Sequence, residues 1–159
     1  MQKLRTFLSL ERTTKLMMIE AYFLLGWARI IKLVPFSKVA PTLGEHMNET
    51  SYTHDGKRKE VQMQVADTIT IMSRYTFWES KCLVQAIAAM KMLKRRKIES
   101  TLYLGTGKDE GGNMIAHAWL RSGPYVITGS EGKEQFTVVA TFAQKFVNQK
   151  IEGVGVQNE

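Results

Sequence analysis

Cysteine, histidine and proline are scarce in this chain of 159 residues, and these scarcities exclude several classes of protein. Cys82 is the only cysteine, so the chain forms no internal disulfide and holds no cysteine-based zinc site. The three histidines form no H-E-x-x-H pattern, and we predict no metal and no cofactor. No apolar block follows the first methionine, so the sequence predicts no signal peptide and favours a cytoplasmic location.

The chain also lacks an uninterrupted apolar run. Its most hydrophobic segment, residues 16–34, contains Glu20, Arg29 and Lys32, whereas a membrane span needs about 20 mostly apolar residues. We therefore predict that this segment is a helix that is buried in the protein or covered by a partner, and that it does not span a membrane.

The net charge of +7 is not organised as a nucleic-acid surface would require. Basic residues are scattered except in residues 91–97, which end a predicted helix, where cations interact favourably with the helix dipole. Aromatic side chains are not interleaved with them. We predict no nucleic-acid binding, and a site for an acidic partner is the alternative to a solvated helix end.

Helical periodicity dominates the first part of the chain. Thr13 or Thr14 can cap a first helix that continues through residues 16–34, and a polar connector with a turn at Asp55-Gly56 follows over residues 35–60. A second helix is predicted over residues 60–73 and a third over residues 80–96.

Strand-like alternation replaces the helical pattern after residue 99. We predict strands over residues 100–107, 114–121 and 125–129, and a last segment from residue 135 that closes the domain before a frayed tail at residues 151–159. This order predicts an α+β fold in which N-terminal helices precede an antiparallel β-meander.

The single cysteine stands near the predicted start of the third helix. Ser80 is the candidate N-cap, which places Cys82 in the first helical turn. There the helix dipole and free N–H groups favour a thiolate, and the same N–H groups can hydrogen-bond an oxyanion that forms beside the sulfur.

A thiolate nucleophile needs a proton donor for the leaving amine, and histidine is the usual one. His117 lies in a predicted apolar strand between two alanines, whereas His46 and His54 lie in the polar connector. His117 is therefore the candidate partner of Cys82. The alternative is structural, because a lone buried cysteine is usually a core residue.

Several motifs, in this order and spacing, resemble one family. They are W-x-x-x-C-L-x-x-A (residues 78–86), R-R-K-I (95–98), L-x-L-G (102–105) and A-H-A-W-L (116–120). Together they are similar to the transglutaminase-like, papain-like leader peptidases of lasso-peptide biosynthesis, the peptidase half of the split B protein.

The resemblance implies a cysteine protease that removes the leader peptide from a ribosomally made lasso-peptide precursor. A separate ATP-dependent cyclase would then use the freed α-amine to close the macrolactam ring. Cys82 becomes the nucleophile and His117 the general acid and base. Trp78 and Trp119 would line the substrate site, with core packing as the alternative role for each.

The third catalytic position departs from the family pattern. Such enzymes usually place an aspartate on the strand after the histidine, where it fixes the tautomer. No aspartate follows Asp109 in this chain. We assign the position to Glu131, just beyond the following strand, with Thr128 as the polar substitute.

The resemblance also implies partners and a division of the chain. Because the chain begins almost directly with the apolar helix, we expect a separate small leader-recognition protein that docks on that helix, besides the precursor and possibly the cyclase as binding partners. We expect one compact domain, with a helical region and connector over residues 1–58 and a transglutaminase-like catalytic core over residues 59–159. An acyltransferase on the same fold and a non-catalytic scaffold are the alternative functions.

Overall fold

The computed structural model describes residues 10–146, and the predicted frayed tail lies outside this range. Within it, helices precede four of the five strands of an antiparallel sheet, which confirms the predicted α+β class. Residue 58, the predicted boundary between the two regions, falls in the first turn of a helix. The division at that residue stays a prediction.

Three of the helices follow the predicted order with different ends, and a four-residue helix in the connector was not predicted. They are α1 (Arg12–Ile31), α2 (Phe36–Val39), α3 (Gly56–Ser73) and α4 (Cys82–Arg95). The predicted cap of the first helix is wrong, because the helix begins at Arg12 and its N-cap residue, Glu11, makes no side-chain capping bond. Asp55-Gly56 starts a helix where a turn was predicted. The Asp55 carboxylate accepts a hydrogen bond from the Lys57 N–H and caps α3, the first residue of which is Gly56.

The strands form one antiparallel sheet in the order β1-β5-β2-β3-β4. They are β1 (Glu45–His46), β2 (Ser100–Lys108), β3 (Met114–Ser122), β4 (Tyr125–Thr128) and β5 (Thr137–Gln144). Strands β2 to β4 form the predicted meander, whereas β5 returns to the free side of β2. The connector contributes β1, which pairs with β5 at the sheet edge.

The main core lies between the helices and one face of the sheet. Helix α4 packs on β2, β3 and β4, and α1 and α3 pack on α4. Ile87, Met92 and Leu93 of α4 are almost completely buried, and full burial of such a side chain contributes about 1.5–3 kcal/mol. The core therefore fixes α4, and with it the residue at its start, relative to the sheet.

A buried arginine ties the connector to the other face of the sheet. Arg121 is only 5% exposed, and its guanidinium donates to Tyr103 Oη at 2.9 Å and to the Thr50 carbonyl at 2.8 Å. It also lies 3.6 Å from the centre of the Tyr52 ring. Glu49 completes this cluster, since its Oε2 accepts from Tyr103 Oη at 2.7 Å. Polar contacts thus hold the connector against the sheet, with the Arg121 guanidinium buried and the Glu49 and Tyr52 side chains exposed to solvent.

This cluster predicts a dependence of stability on acidity. The Tyr103 hydrogen bond, opposed by partial desolvation and assisted by Tyr52 and Arg121, lowers the pKa of Glu49 below its ordinary value of 4.5. A carboxyl whose pKa is lowered in the folded state stabilises the fold above the unfolded pKa, and this stabilisation is lost as the pH falls through the folded pKa. We expect Glu49→Gln to lower the free energy of unfolding at pH 7 and to weaken its decline toward about pH 3.

Urea unfolding at both pH values measures this effect. The matched control is Glu110→Gln, which changes an exposed carboxylate in the β2–β3 turn and should leave the wild-type pH dependence intact. An unchanged pH dependence in Glu49→Gln would contradict the role given to this carboxylate.

Candidate active site

Cys82 is the first residue of α4 and its thiol is free and half-buried. The predicted N-cap is wrong: Lys81 occupies that position, and the Ser80 hydroxyl instead hydrogen-bonds Thr76 Oγ1 at 2.8 Å. Gln85 donates to the Ser80 carbonyl at 2.7 Å and so closes the turn that precedes the helix. Cys82 nevertheless lies in the first helical turn, where backbone N–H groups have no partner within the helix.

A positive charge adjoins the cysteine in sequence. Lys81 forms an ion pair with Glu79, and this partner raises the pKa of Lys81, with a smaller contribution in the same direction from Cys82. Lys81 therefore stays protonated beside the thiol. Because both charged side chains are exposed to solvent, the field that they add at the sulfur is screened.

The register of β3 determines the face from which His117 projects. Ala118 and Leu120 belong to the core beneath the helices. Because side chains alternate between the two faces of a strand, His117 and Trp119 project from the opposite face. The same face carries Tyr103, which pairs with Trp119 across β2 and β3.

Aromatic rings hold the imidazole of His117. Its centre lies 5.9 Å from that of Trp119 and 5.0 Å from that of Phe136. Trp119 in turn stacks parallel to Tyr103 at 5.4 Å. Gly105, the register partner of His117, leaves room for these rings, since a Cβ there would lie 2.9 Å from Phe136 Cβ and 3.0 Å from Trp119 Cζ3.

The lengths of α4 and β2 indicate how far along the helix axis His117 lies. After Arg95, a short connection leads into β2, which packs against α4 and therefore runs back along it. The 14 residues of α4 extend about 21 Å, and the stretch of β2 from Ser100 to Gly105 extends about 17 Å. Along the helix axis, Gly105 and its partner His117 thus lie near the level of Cys82, with His117 projecting from the face of the sheet opposite α4. Within residues 10–146, no hydrogen bond joins the Cys82 thiol to the His117 ring.

A main-chain carbonyl contacts His117 where a side chain was expected. His117 Nε2 lies 2.9 Å from the Gly129 oxygen. Glu131 is exposed, and in the described part of the chain it makes no hydrogen bond or ion pair with His117. Thr128 is buried and pairs with Leu120, so it belongs to the helix-covered side of the sheet. The structure therefore joins neither predicted residue to the histidine.

The two tryptophans lie in different surroundings. Trp78 packs against α1, with its ring centre 5.1 Å from that of Tyr22, and it contacts Phe77. Its Nε1 is buried and has no hydrogen-bond partner among residues 10–146. Trp119 packs on the sheet instead, and no ring contact between the two tryptophans occurs in that range. A shared role in lining the substrate site stays a prediction.

Comparison with known families agrees with this fold. Residues 30–141, more than two thirds of the chain, match the family model described as the transglutaminase-like superfamily. The chain belongs to the transglutaminase-like superfamily. The match includes Cys82 and His117, and a transglutaminase-like domain is compatible with a cysteine protease or an acyltransferase. No curated protein and no solved structure matches the chain significantly.

Membrane spans and metal clusters are both absent from the described residues of this transglutaminase-like chain. Over residues 10–146, no helix combines the length and the apolar character that crossing a membrane requires. The same residues contain no group of three or more His, Cys, Asp or Glu side chains placed to hold a metal ion.

Proposed function

We propose that this chain is a cysteine peptidase that removes the leader from a ribosomally made lasso-peptide precursor. The observation that supports the proposal most is a free, half-buried cysteine at the first residue of a helix in a transglutaminase-like domain. His117, the candidate acid and base, lies on β3, the other face of which packs against that helix. The lasso-peptide substrate rests on the motif resemblance around Cys82 and His117.

The proposed reaction has two steps. In the first, the Cys82 thiolate attacks the carbonyl carbon that joins the leader to the core peptide, and backbone N–H groups at the start of α4 hydrogen-bond the oxyanion. The C–N bond breaks as protonated His117 gives its proton to the leaving amine of the core peptide. In the second, water attacks the thioester carbon while His117 takes its proton, and the C–S bond breaks to release the Cys82 thiolate. The leader leaves with a free carboxylate, and the core peptide has the free α-amine that a separate cyclase requires.

Pairing of the thiol and the imidazole is expected in the substrate complex. Catalytic hydrogen bonds are often long or poorly aligned in free enzymes and tighten when substrate binds. The first turn of α4 is fixed by the core, whereas the Cys82 side chain is only half-buried and can change rotamer.

Acyl transfer is the second candidate function. A thioester on Cys82 can react with an amine instead of water, and the family is compatible with this chemistry. The products distinguish the two reactions, because hydrolysis leaves two free ends and transfer leaves a new amide.

Mass spectrometry of the precursor tests the proposal. The wild-type chain, supplied with the recognition protein, should yield a free leader and a free core peptide, and Cys82→Ala should yield neither. Circular dichroism of Cys82→Ala checks that the variant folds. Leader removal by Cys82→Ala would contradict a thiol mechanism, an amide adduct would favour the transferase, and an unreacted precursor with the wild-type chain would favour a scaffold.

Helix α1 supplies the proposed docking surface for the recognition protein. One face of the helix is buried in the core through Ala21, Leu25 and Ala28. The other face carries an apolar stripe, each member of which is at least 36% exposed: Leu16, Ile19, Phe23, Trp27 and Ile30. A helix that is apolar on both faces is typical of a buried element, so a partner that covers the stripe would complete its burial.

Charge beside the stripe favours an acidic partner. The Lys91 ammonium group lies 5.0 Å from the centre of the Trp27 ring. Burial, with a smaller contribution from Lys94, lowers the pKa of Lys91, so a carboxylate placed there would relieve an unfavourable charge. Arg29 and Lys32, at the end of the same helix, add further positive charge. We therefore propose that the recognition protein presents an apolar patch bordered by acidic residues.

Replacement of one exposed stripe residue tests this docking surface. Phe23 is 70% exposed, so Phe23→Glu should leave the fold intact and weaken binding of the recognition protein by about tenfold or more, because a buried aromatic contact is replaced by a charge. Titration calorimetry measures the affinity. Ile71→Glu, a similar change on the exposed side of α3, is the matched control and should bind normally. Equal affinities of the two variants would contradict docking on α1.

A further inference from the structure

We infer that the main-chain carbonyl of Gly129 orients His117, in the position where related thiol enzymes use a carboxylate or amide side chain. This inference rests on the proposed function, since an oriented imidazole matters only if Cys82 reacts. Gly129 follows the last residue of β4, beside the part of β3 that has no β4 neighbour.

The direction of the hydrogen bond follows from its chemistry. A carbonyl oxygen has no proton to donate, so His117 Nε2 must be the donor across the 2.9 Å that separates it from the Gly129 oxygen. In the neutral imidazole, the lone pair is then on Nδ1. The carbonyl therefore selects one tautomer and leaves the other ring nitrogen available to exchange a proton with the thiol.

Only glycine allows the carbonyl to lie at this place. Gly129 has φ = 72°, in the left-handed region. A Cβ on it would lie 2.4 Å from the Ala118 oxygen and 2.9 Å from Trp119 Cβ. The close approach of Gly129 to β3, which brings its carbonyl to His117, is thus incompatible with any side chain at this position.

The ring cannot easily reverse its orientation. Contacts with Trp119 and Phe136 restrict rotation of the imidazole, and Phe136 Cβ and the Trp119 ring are themselves packed around Gly105. A flip that exchanged Nδ1 for Nε2 would cost this packing as well as the hydrogen bond.

A carbonyl provides orientation without a negative charge. Hydrogen bonds between charged partners are roughly twice as strong as neutral ones, so an imidazolium gains less from a carbonyl than from a carboxylate. Gly129 is accordingly a positioning residue. The Gly129 carbonyl takes the place of the aspartate that this chain lacks after Asp109. Neither Glu131 nor Thr128 then has a role in orienting the ring.

Nitrogen NMR of the histidine ring tests the tautomer directly. In ¹⁵N-histidine-labelled wild-type protein, at a pH where the ring is neutral, His117 should show a protonated Nε2 and an unprotonated Nδ1. The spectrum of His117→Gln assigns its signals against those of the other two histidines. A protonated Nδ1 would overturn the inference, whatever the activity of Cys82.

A pair of glycine variants tests the consequence for the thiol. Gly129→Ala and Gly132→Ala both place alanine at a left-handed residue, but the nearest neighbour of the new Cβ is 2.4 Å away in the first and 4.0 Å away in the second. We expect Gly129→Ala to give a mixture of tautomers and to slow alkylation of Cys82 by iodoacetamide by about tenfold, and Gly132→Ala to do neither. A folded Gly129→Ala variant that keeps the wild-type tautomer and rate would overturn the inference.

Two further results separate the possible failures. Slower alkylation in Glu131→Gln, with an unchanged rate in Gly129→Ala, would return the orienting role to the carboxylate and overturn the inference. A wild-type thiol that does not react at all would contradict the proposed peptidase, whereas the NMR result would still decide the tautomer. If Gly129→Ala does not fold, the tautomer of the wild-type protein alone supports or overturns the inference.

Discussion

Burial of α4 against the sheet is the constraint on which the rest of the structure depends. Leu120 and Ala118 must face α4 to complete the core, and strand alternation then places His117 and Trp119 on the other face. The same contact fixes the start of α4, and Cys82 itself packs against the core. The position of Cys82 and the face from which His117 projects are therefore both consequences of core packing.

The two faces of the sheet are covered differently. One face packs against the helices, including α4 with Cys82, and the other carries His117. Apolar side chains cover the face beneath the helices, whereas the connector covers part of the other through Arg121, which joins it to Tyr103. Tyr103 stacks on Trp119, and Trp119 on His117, so the buried arginine and the histidine belong to one continuous set of contacts.

Local signals predicted much of this fold from the sequence. The α+β class and the β2–β4 meander follow from a change of periodicity, and a single cysteine in the first turn of a helix is visible without any tertiary information. The pairing of β1 with β5 was not predicted, because a two-residue strand has no pattern and depends on a partner about 100 residues away. The Gly129 contact was missed for another reason: sequence patterns indicate which side chains could orient a histidine and carry no signal for a backbone oxygen.

The rate of Cys82 alkylation by iodoacetamide as a function of pH, compared between wild type and His117→Ala, tests the central claim most directly. This claim is that Cys82 and His117 act as one unit. If they do, the wild-type thiol reacts faster than the variant thiol near neutral pH, and the two rates converge at high pH, where any thiol is ionised. Superimposable profiles would show that the thiol is indifferent to the histidine, and they would contradict the account of this chain as a thiol peptidase.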